Sequence, residues 1–293
     1  MTRASAYDLG FALGPRLNAA GRLTDMTLGI ECLTTDDGSR ADQIARELDA
    51  LNRERRSIEA EMQEAALAAI EAASCGEEYT LSLFDPAWHQ GVIGIVASRI
   101  KDRYHRPTIA FARGNDGEIK GSARSIPGLH MRDALDLVTK RHPGLILKFG
   151  GHAAAAGLTL RESAFERFCQ AFEETVRSLV TASDLERQIE TDGSLALEEA
   201  TLEAAAALAV QPWGSGFPEP RFHDCFEVAS QRIVGGRHLR LRLVREARPF
   251  EAMLFGAVGP LPARIAAVYR LDVNEYQGAR TLQLTLHHWR GAA

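Results

Sequence analysis

The sequence predicts an α/β unit, entered through one long helix and followed by a small all-β barrel. Three observations predict this. Residues 39–74 contain no proline or glycine and repeat apolar side chains at helical spacing. Residues 79–183 alternate short apolar runs with amphipathic ones, the order of an α/β domain. From Arg221 the pattern changes to five stretches that alternate with period two.

Residues 1–36 read as a tail whose body is missing, with a strand-like start and then a loop carrying Arg16, Asn18 and Arg22. Two arginines flanking small residues can hold a phosphate, and a solvated loop is the alternative. Residues 37–76 form the long helix. Ser39 with Asp42 resembles a capping box. Ile44, Leu48, Leu51, Ile58 and Met62 make one stripe, with Arg55 filling a gap, and Gly76 is the expected stop. About 35 residues would span roughly 50 Å, the length of a connector between bodies. A coiled-coil partner is the alternative, disfavoured by too few heptads.

Residues 77–183 hold the α/β unit. YTLSLF and PTIAFA read as strands, and Asp116-Gly117 turns the chain into a hairpin strand, EIKGSAR. Helices are expected over Gly91–Tyr104, His130–Arg141 and about Glu162–Val180, the last with Phe165, Phe168 and Phe172 inward. Trp88, His89 and Gln90 precede a helix and can contact a ligand, although Trp88 also suits a packing anchor and His89 a turn. His105 and His142 read as turn residues.

Residues 184–220 form a linker, with an Ala-rich helix over about Leu195–Val210 and then the breaker PWGSGFPEP. Residues 221–293 carry the five strands, which fit a partly open barrel of OB type. In HLRLRL, His238, Arg240 and Arg242 share one face and Leu239, Leu241 and Leu243 the other. Six arginines fall between Arg232 and Arg248. They would form a groove tracking a nucleic-acid backbone, with Phe222, Phe226 or Tyr276 for stacking. A solvated face is the other reading of this charge run.

Composition narrows the class. The 293 residues, 45% hydrophobic and 25% charged, are ordinary for a globular protein of about two domains. The net charge of −5 argues against a wholly basic nucleic-acid binder. Yet from Arg221 onward there are eleven Arg, no Lys and six acidic residues, a local net of +5 that points to an anionic partner. Cys32, Cys75, Cys169 and Cys225 form no C-x-x-C pair, so neither a zinc site nor a disulfide framework is expected and a reducing, cytoplasmic setting is. No apolar run approaches the roughly 20 residues of a membrane span, and the N-terminus lacks a signal-peptide core.

Two glycine-punctuated clusters carry the chemistry: GSARS, Gly121 to Ser125, and KFGGHAAAAG, Lys148 to Gly157. Gly121, Gly150 and Gly151 would let backbone approach a ligand closely. Ser122, Arg124, Ser125 and His152 supply donors suited to phosphate. If the alanine run starts a helix, its first amides join them. Tight turns closing a sheet are the alternative.

Seven ordered motifs resemble one family. GPRLNAAGRL, WHQGVIGIVASRI, GSARSI with LKFGGHAAAAG, PWGSGFPEP, GGRHLRLRL and YRLDVNEYQG are similar to the RecJ family of single-strand-specific exonucleases, over nearly the whole chain. The resemblance implies a remnant of the DHH catalytic domain, the connecting helix, a DHH-associated α/β domain and an OB-type barrel. It implies 5′-to-3′ degradation of single-stranded DNA in repair and recombination, with single-stranded DNA as partner and a single-strand-binding protein as a candidate second. Ser122 and Arg124 match a pocket for the 5′-phosphate, and His152 lies near the scissile region, the candidate catalytic residue. Ala123 stands where a glycine is common, which puts the fine geometry of the loop in question. The family's Mg2+ or Mn2+ is held by the DHH domain. No D-H-H, D-x-D or H-x-D pattern occurs here, and His287-His288 follows Leu286. No metal site is therefore expected on this chain, which alone is expected to be inactive. A non-catalytic nucleic-acid-binding module remains an alternative, as does a phosphoesterase for short oligonucleotides, which the Arg-rich barrel disfavours.

Overall fold

The computed structural model describes residues 8–72, 78–214 and 216–292. It divides into two units, 1–187 and 188–293. Among the described residues no helix is long and apolar enough to cross a membrane.

The first unit begins with helical structure where a strand and loop were expected. A π-helical turn, Asp8–Leu13, runs into α1 (Gly14–Leu23), and α2 (Thr27–Thr34) follows. Tertiary packing decides this: Ala19 and Ala20 are fully buried, and Ala20 packs with Ile44 and Leu48 of the long helix. That helix, α3, runs Gly38–Ala72, and the expected end at Ser74 and stop at Gly76 lie outside the described residues. Its cap is Asp37 rather than Ser39 with Asp42. The Asp37 carboxylate accepts from the Ser39 and Arg40 amides at 2.8 and 3.3 Å, two residues earlier than the expected box. In the middle of the stripe, Asn52 and Glu59 are buried, and Arg55 reaches both.

A five-stranded sheet follows, ordered β1-β2-β3-β5-β4, from β1 (Leu81–Phe84), β2 (Thr108–Arg113), β3 (Glu118–Arg124), β4 (Lys148–Gly151) and β5 (Ala155–Arg161). Only β1 and β2 are parallel, joined by α4 (Ile93–Tyr104). The alanine run does not start a helix. His152 donates its amide to Ala155 O at 2.8 Å in a tight hairpin, and Ala155 opens β5. Alanine's helix preference is a few tenths of a kcal/mol per residue, less than the ladder to β3 and the burial of Ala156, Leu158 and Leu160 supply. One sheet face packs on α5 (Met131–Arg141) and α6 (Phe165–Arg177), through Leu135, Val138, Phe168 and Phe172. His105 and His142 end α4 and α5 as turn residues.

In the second unit the expected Ala-rich helix is shorter. A 3-10 turn, Leu197–Glu199, precedes α7 (Leu202–Ala209), because Thr201 caps the helix by accepting from the Ala204 amide. Five strands follow: β6 (Phe222–Val234), β7 (His238–Arg245), β8 (Arg248–Phe255), β9 (Arg264–Tyr276) and β10 (Ala279–Gly291). The barrel is closed rather than partly open, because β6 pairs with β9 and β8 pairs in parallel with β10. Leu239, Leu241 and Leu243 fill its core, as their alternation requires.

Candidate functional site

Strand register builds the site. Ser122 pairs with Gly157, and Gly157 with Gly150, so these three form one row across β3, β5 and β4. Arg124 pairs with Ala155, which His152 faces across the hairpin. Lys120, Thr159 and Lys148 form a third row. Residues two apart share a face, so all three rows lie on one side of the sheet. The first two strands continue that side with Ala110 and Ala112, which α4 covers through Val92, Val96 and Ala97. Over β3, β5 and β4, Lys120, Lys148, Gly150, His152 and Gly157 stay exposed. The result is a shallow basic surface floored by bare glycines.

At its edge, where α4 begins, Arg124 is half-buried. Its Nη1 donates to Ser122 Oγ at 3.0 Å and to Ala123 O at 2.8 Å. Gly94 lies in the first turn of α4, against both side chains: a β-carbon there would meet Arg124 Nη2 at 2.7 Å and Ser122 Oγ at 2.9 Å. Gly91 touches α1, where a β-carbon would meet Arg22 O at 2.0 Å, and Arg22 Nη1 donates back to Gly91 O at 3.1 Å. Burial first, and then the positive charge of Arg22, push the Arg124 pKa down from its ordinary value. Arg22 reaches Gly91 and Arg124 lies against Gly94, so both cations border the start of α4, with the Ser122 hydroxyl beside Arg124. Such an arrangement is stabilised by an anion between them, and a phosphate matches the planar fork.

The expected residues therefore divide. Ser122, Arg124, Gly150 and His152 share the open face, and Arg22 joins its edge. Gly121 and Gly151 do not. Gly121 faces the core, where a β-carbon would meet the Phe111 ring at 2.5 Å, and Gly151 is closed off by Ala155 O at 2.4 Å. Ser125 donates its hydroxyl to Leu129 O at 2.7 Å, within a turn. Arg16 is held away by Asp49, at 2.8 Å, and by Ala12 O. Trp88 packs in the core beneath α4. His89 Nδ1 accepts the Gly91 amide, and Gln90 donates to Arg113 O. His152 is exposed at the hairpin and is not at a helix N-terminus. The methyl of Ala123 points into the core, away from the open face. The expected ligand contacts did not include Lys120, Lys148, Gly157 or Gly94, although the second cluster runs from Lys148 to Gly157. The alternation in K-G-S-A-R and K-F-G-G-H would have marked both lysines.

On the barrel, register sets three outward rows: Val234, His238 and Phe255; Arg232, Arg240 and Met253; Ser230, Arg242 and Glu251. Arg240 is paired with Glu251 at 2.9 Å, whereas Arg242 is exposed. Phe255 is 56% exposed, its ring edge-on to His238 at 5.1 Å. Of the aromatic residues expected to stack, Phe226 is buried in the core and Phe222 packs on Tyr269, while Tyr276 is 67% exposed. Two of the six arginines serve the fold. Arg245 pairs with Asp224 at 2.8 Å and donates to Leu195 O, and Arg248 donates to Leu197 O and Ala200 O. Asp224 also accepts from Tyr269 at 2.7 Å and Ser194 at 2.5 Å. Among the described residues no group of three or more His, Cys, Asp or Glu could hold a metal ion.

Comparison with known proteins follows these units. Residues 76–178 match the DHHA1 domain and residues 191–288 the RecJ OB domain. The chain is 48% identical over 294 residues to the single-stranded-DNA-specific exonuclease RecJ of Dickeya dadantii, covering 97% of this chain and 51% of that protein. To the Escherichia coli protein of the same name it is 46% identical, covering 96% and 51%. The crystal structure of RecJ from Thermus thermophilus in complex with Mg2+ superimposes with a TM-score of 0.83 at 29% identity, over 99% of this chain and 44% of that one. A second, with Mn2+, gives 0.83 at 28%, over 99% and 42%. The chain thus spans about half the length of the curated relatives it matches.

Proposed function

The chain belongs to the RecJ family, and from that premise we propose that it is the substrate-binding C-terminal portion of a single-stranded-DNA-specific 5′-to-3′ exonuclease acting in DNA repair and recombination. The observation that carries this reading is the placement of Arg124 beside Ser122 and against Gly94, with Arg22 bound to Gly91 just before the same helix start, at the edge of the open glycine-floored face. Arg124 and Ser122 hold the 5′-terminal phosphate, with Arg22 supplying the second cation. The next nucleotides lie over Gly157 and Gly150, with Lys120 and Lys148 neutralising backbone and His152 nearest the bond to be cut. The outward barrel rows, with Arg232, Arg240 and Arg242, hold the strand further along by its phosphates. A single-strand-binding protein is a candidate partner, and the cytoplasm the setting.

The relatives' structures contain Mg2+ or Mn2+. The described residues offer such an ion no cluster of ligands, so in this reading it is held by the remainder of the longer protein, where it supplies activated water and charge stabilisation to phosphodiester hydrolysis. This chain's residues bind, orient and measure the terminus.

The test uses strands that differ only at their 5′ end. Arg124→Ala is expected to weaken binding of a 5′-phosphorylated strand by about 1.5–3 kcal/mol, the range of a charge-assisted hydrogen bond, and to leave a 5′-hydroxyl strand nearly unaffected. Equal losses for both strands would make Arg124 a general backbone contact or a structural residue.

A further inference from the structure

We infer that Phe255, with His238 beside it, is a base-stacking step on the outer face of the barrel, so that the barrel holds a single strand by a base as well as by its phosphates. This step rests on the function proposed above, in which single-stranded DNA crosses that face. Phe255 ends β8 and His238 opens β7, and the two pair directly in register. Leu254, the chain neighbour of Phe255, lies in the barrel core, so the alternation of the strand turns Phe255 outward. At 56% exposed, the ring gains little from burial in the fold.

The geometry leaves ring surface for a ligand. The two rings meet at 5.1 Å and 74°, edge to face. An edge-to-face pair takes up one face of one ring, where a stacked pair takes up a face of each. The His238 ring is also held in place, because its Nδ1 accepts the Gly256 amide at 3.0 Å. The neutral ring then carries its proton on Nε2, a donor for a phosphate oxygen or a base edge. The tip of the hairpin between β6 and β7, Gly235-Gly236, adds no side chain over this ring, although a β-carbon at Gly235 would lie 4.0 Å from His238 Cδ2.

The neighbouring rows identify the occupant. Beside the row of Val234, His238 and Phe255 lies that of Arg232, Arg240 and Met253, and then that of Ser230, Arg242 and Glu251. Among the described residues Arg240 has Glu251 as its ion-pair partner, and neither Arg232 nor Arg242 has a carboxylate at ion-pair distance. An exposed ring alone suits an apolar protein surface. A ring bordered by unpaired guanidinium groups suits a polyanion that carries flat apolar faces, which is a single-stranded nucleic acid. Successive rows lie about 7 Å apart along the strands, so one nucleotide can set its base on Phe255 and its phosphate over the arginine row. Every base has such a face, so the step is tolerant of sequence.

The test is fluorescence-anisotropy titration of the full chain with two strands of equal length and equal phosphate number, both ending in a 5′-hydroxyl: oligo(dT) and a strand made of abasic sites. We expect oligo(dT) to bind more tightly than the abasic strand. Phe255→Ala should weaken oligo(dT) about tenfold and leave both the abasic strand and the slope of log affinity against log salt unchanged. Phe255→Trp should keep the oligo(dT) affinity, whereas Phe255→Leu, apolar but without a ring, should lose most of it. Arg242→Ala should weaken both strands alike. A thermal melt of each variant establishes that it is folded. Equal losses on the two strands in Phe255→Ala, or no loss on either, overturn the stacking step, and a wild-type preference for 5′-phosphorylated strands in that event leaves the proposed function standing. Wild-type binding to no strand, 5′-phosphorylated ones included, overturns both.

Discussion

Gly94 lies so close to Arg124 that a β-carbon added to the glycine would meet Arg124 Nη2 at 2.7 Å. The helix that covers half the sheet thus begins where the guanidinium of its neighbouring strand ends. The missing side chain at Gly94 makes room for the half-buried arginine.

Gly94→Ala therefore separates binding from folding. The obstructing atoms are the ends of the Arg124 and Ser122 side chains, which can swing away. Gly94 lies in the first turn, where alanine's advantage is smaller than the roughly 0.8–1 kcal/mol of a helix interior, so the melting temperature should change little. Affinity for a 5′-phosphorylated strand should fall about tenfold, as expected for a lost charge-assisted contact. Gly91→Ala should instead lower stability, because the β-carbon meets backbone, Arg22 O, at 2.0 Å. Unchanged phosphate-end affinity in Gly94→Ala would detach Arg124 from the pocket.

The barrel depends on a buried polar knot. Asp224 takes Tyr269, Ser194 and Arg245. The Tyr269 pKa is raised, first by burial and then by its hydrogen bond to Asp224, so the phenol stays a donor. Tyr269→Phe should cost about 1–3 kcal/mol, because an acceptor is left without its donor. Asp224→Ala should cost more, about 3–5 kcal/mol, because it strands Arg245. Urea titration of the variants measures both, and an Asp224→Ala cost no larger than that of Tyr269→Phe would remove Arg245 from the argument.

Salt dependence tests the outer barrel face. Each phosphate neutralised on a single strand contributes about −0.7 to the slope of log affinity against log salt. Arg242→Ala should flatten the slope by about that amount. Arg240 is held by Glu251 at 2.9 Å, so Arg240→Ala should matter less, and Glu251→Gln should steepen the slope by freeing it. Slopes identical in all three variants would return this face to ordinary solvated surface.

The chain alone should release no nucleotides from end-labelled single-stranded DNA in Mg2+ or Mn2+. Metal-dependent release that disappears on mutating His152 would place the reaction on this chain.

Much of this was legible in the sequence. Period two in HLRLRL and in GSAR told which side chains share a face, since a strand's alternation is a local property. The 3.6 period gave the long helix, and Asp116-Gly117 gave the hairpin. Which face would be open was not legible. Ser122 and Gly121 are chain neighbours, yet α5 and α6 cover the side of Gly121 while the side of Ser122 stays open over β5 and β4. Pairing across residues 122, 157 and 150 is non-local, and it overrode alanine's preference for helix. It put His152 on a hairpin and took Gly151 into packing. Likewise, six arginines in one stretch read alike, and only the closed barrel gave Arg245 to Asp224 and left Arg242 to solvent. The sequence by itself determined the long helix and the alternating faces of the strands, because these follow from dihedral periodicity. The tertiary structure alone decided which face stays open, because that depends on which distant element covers it.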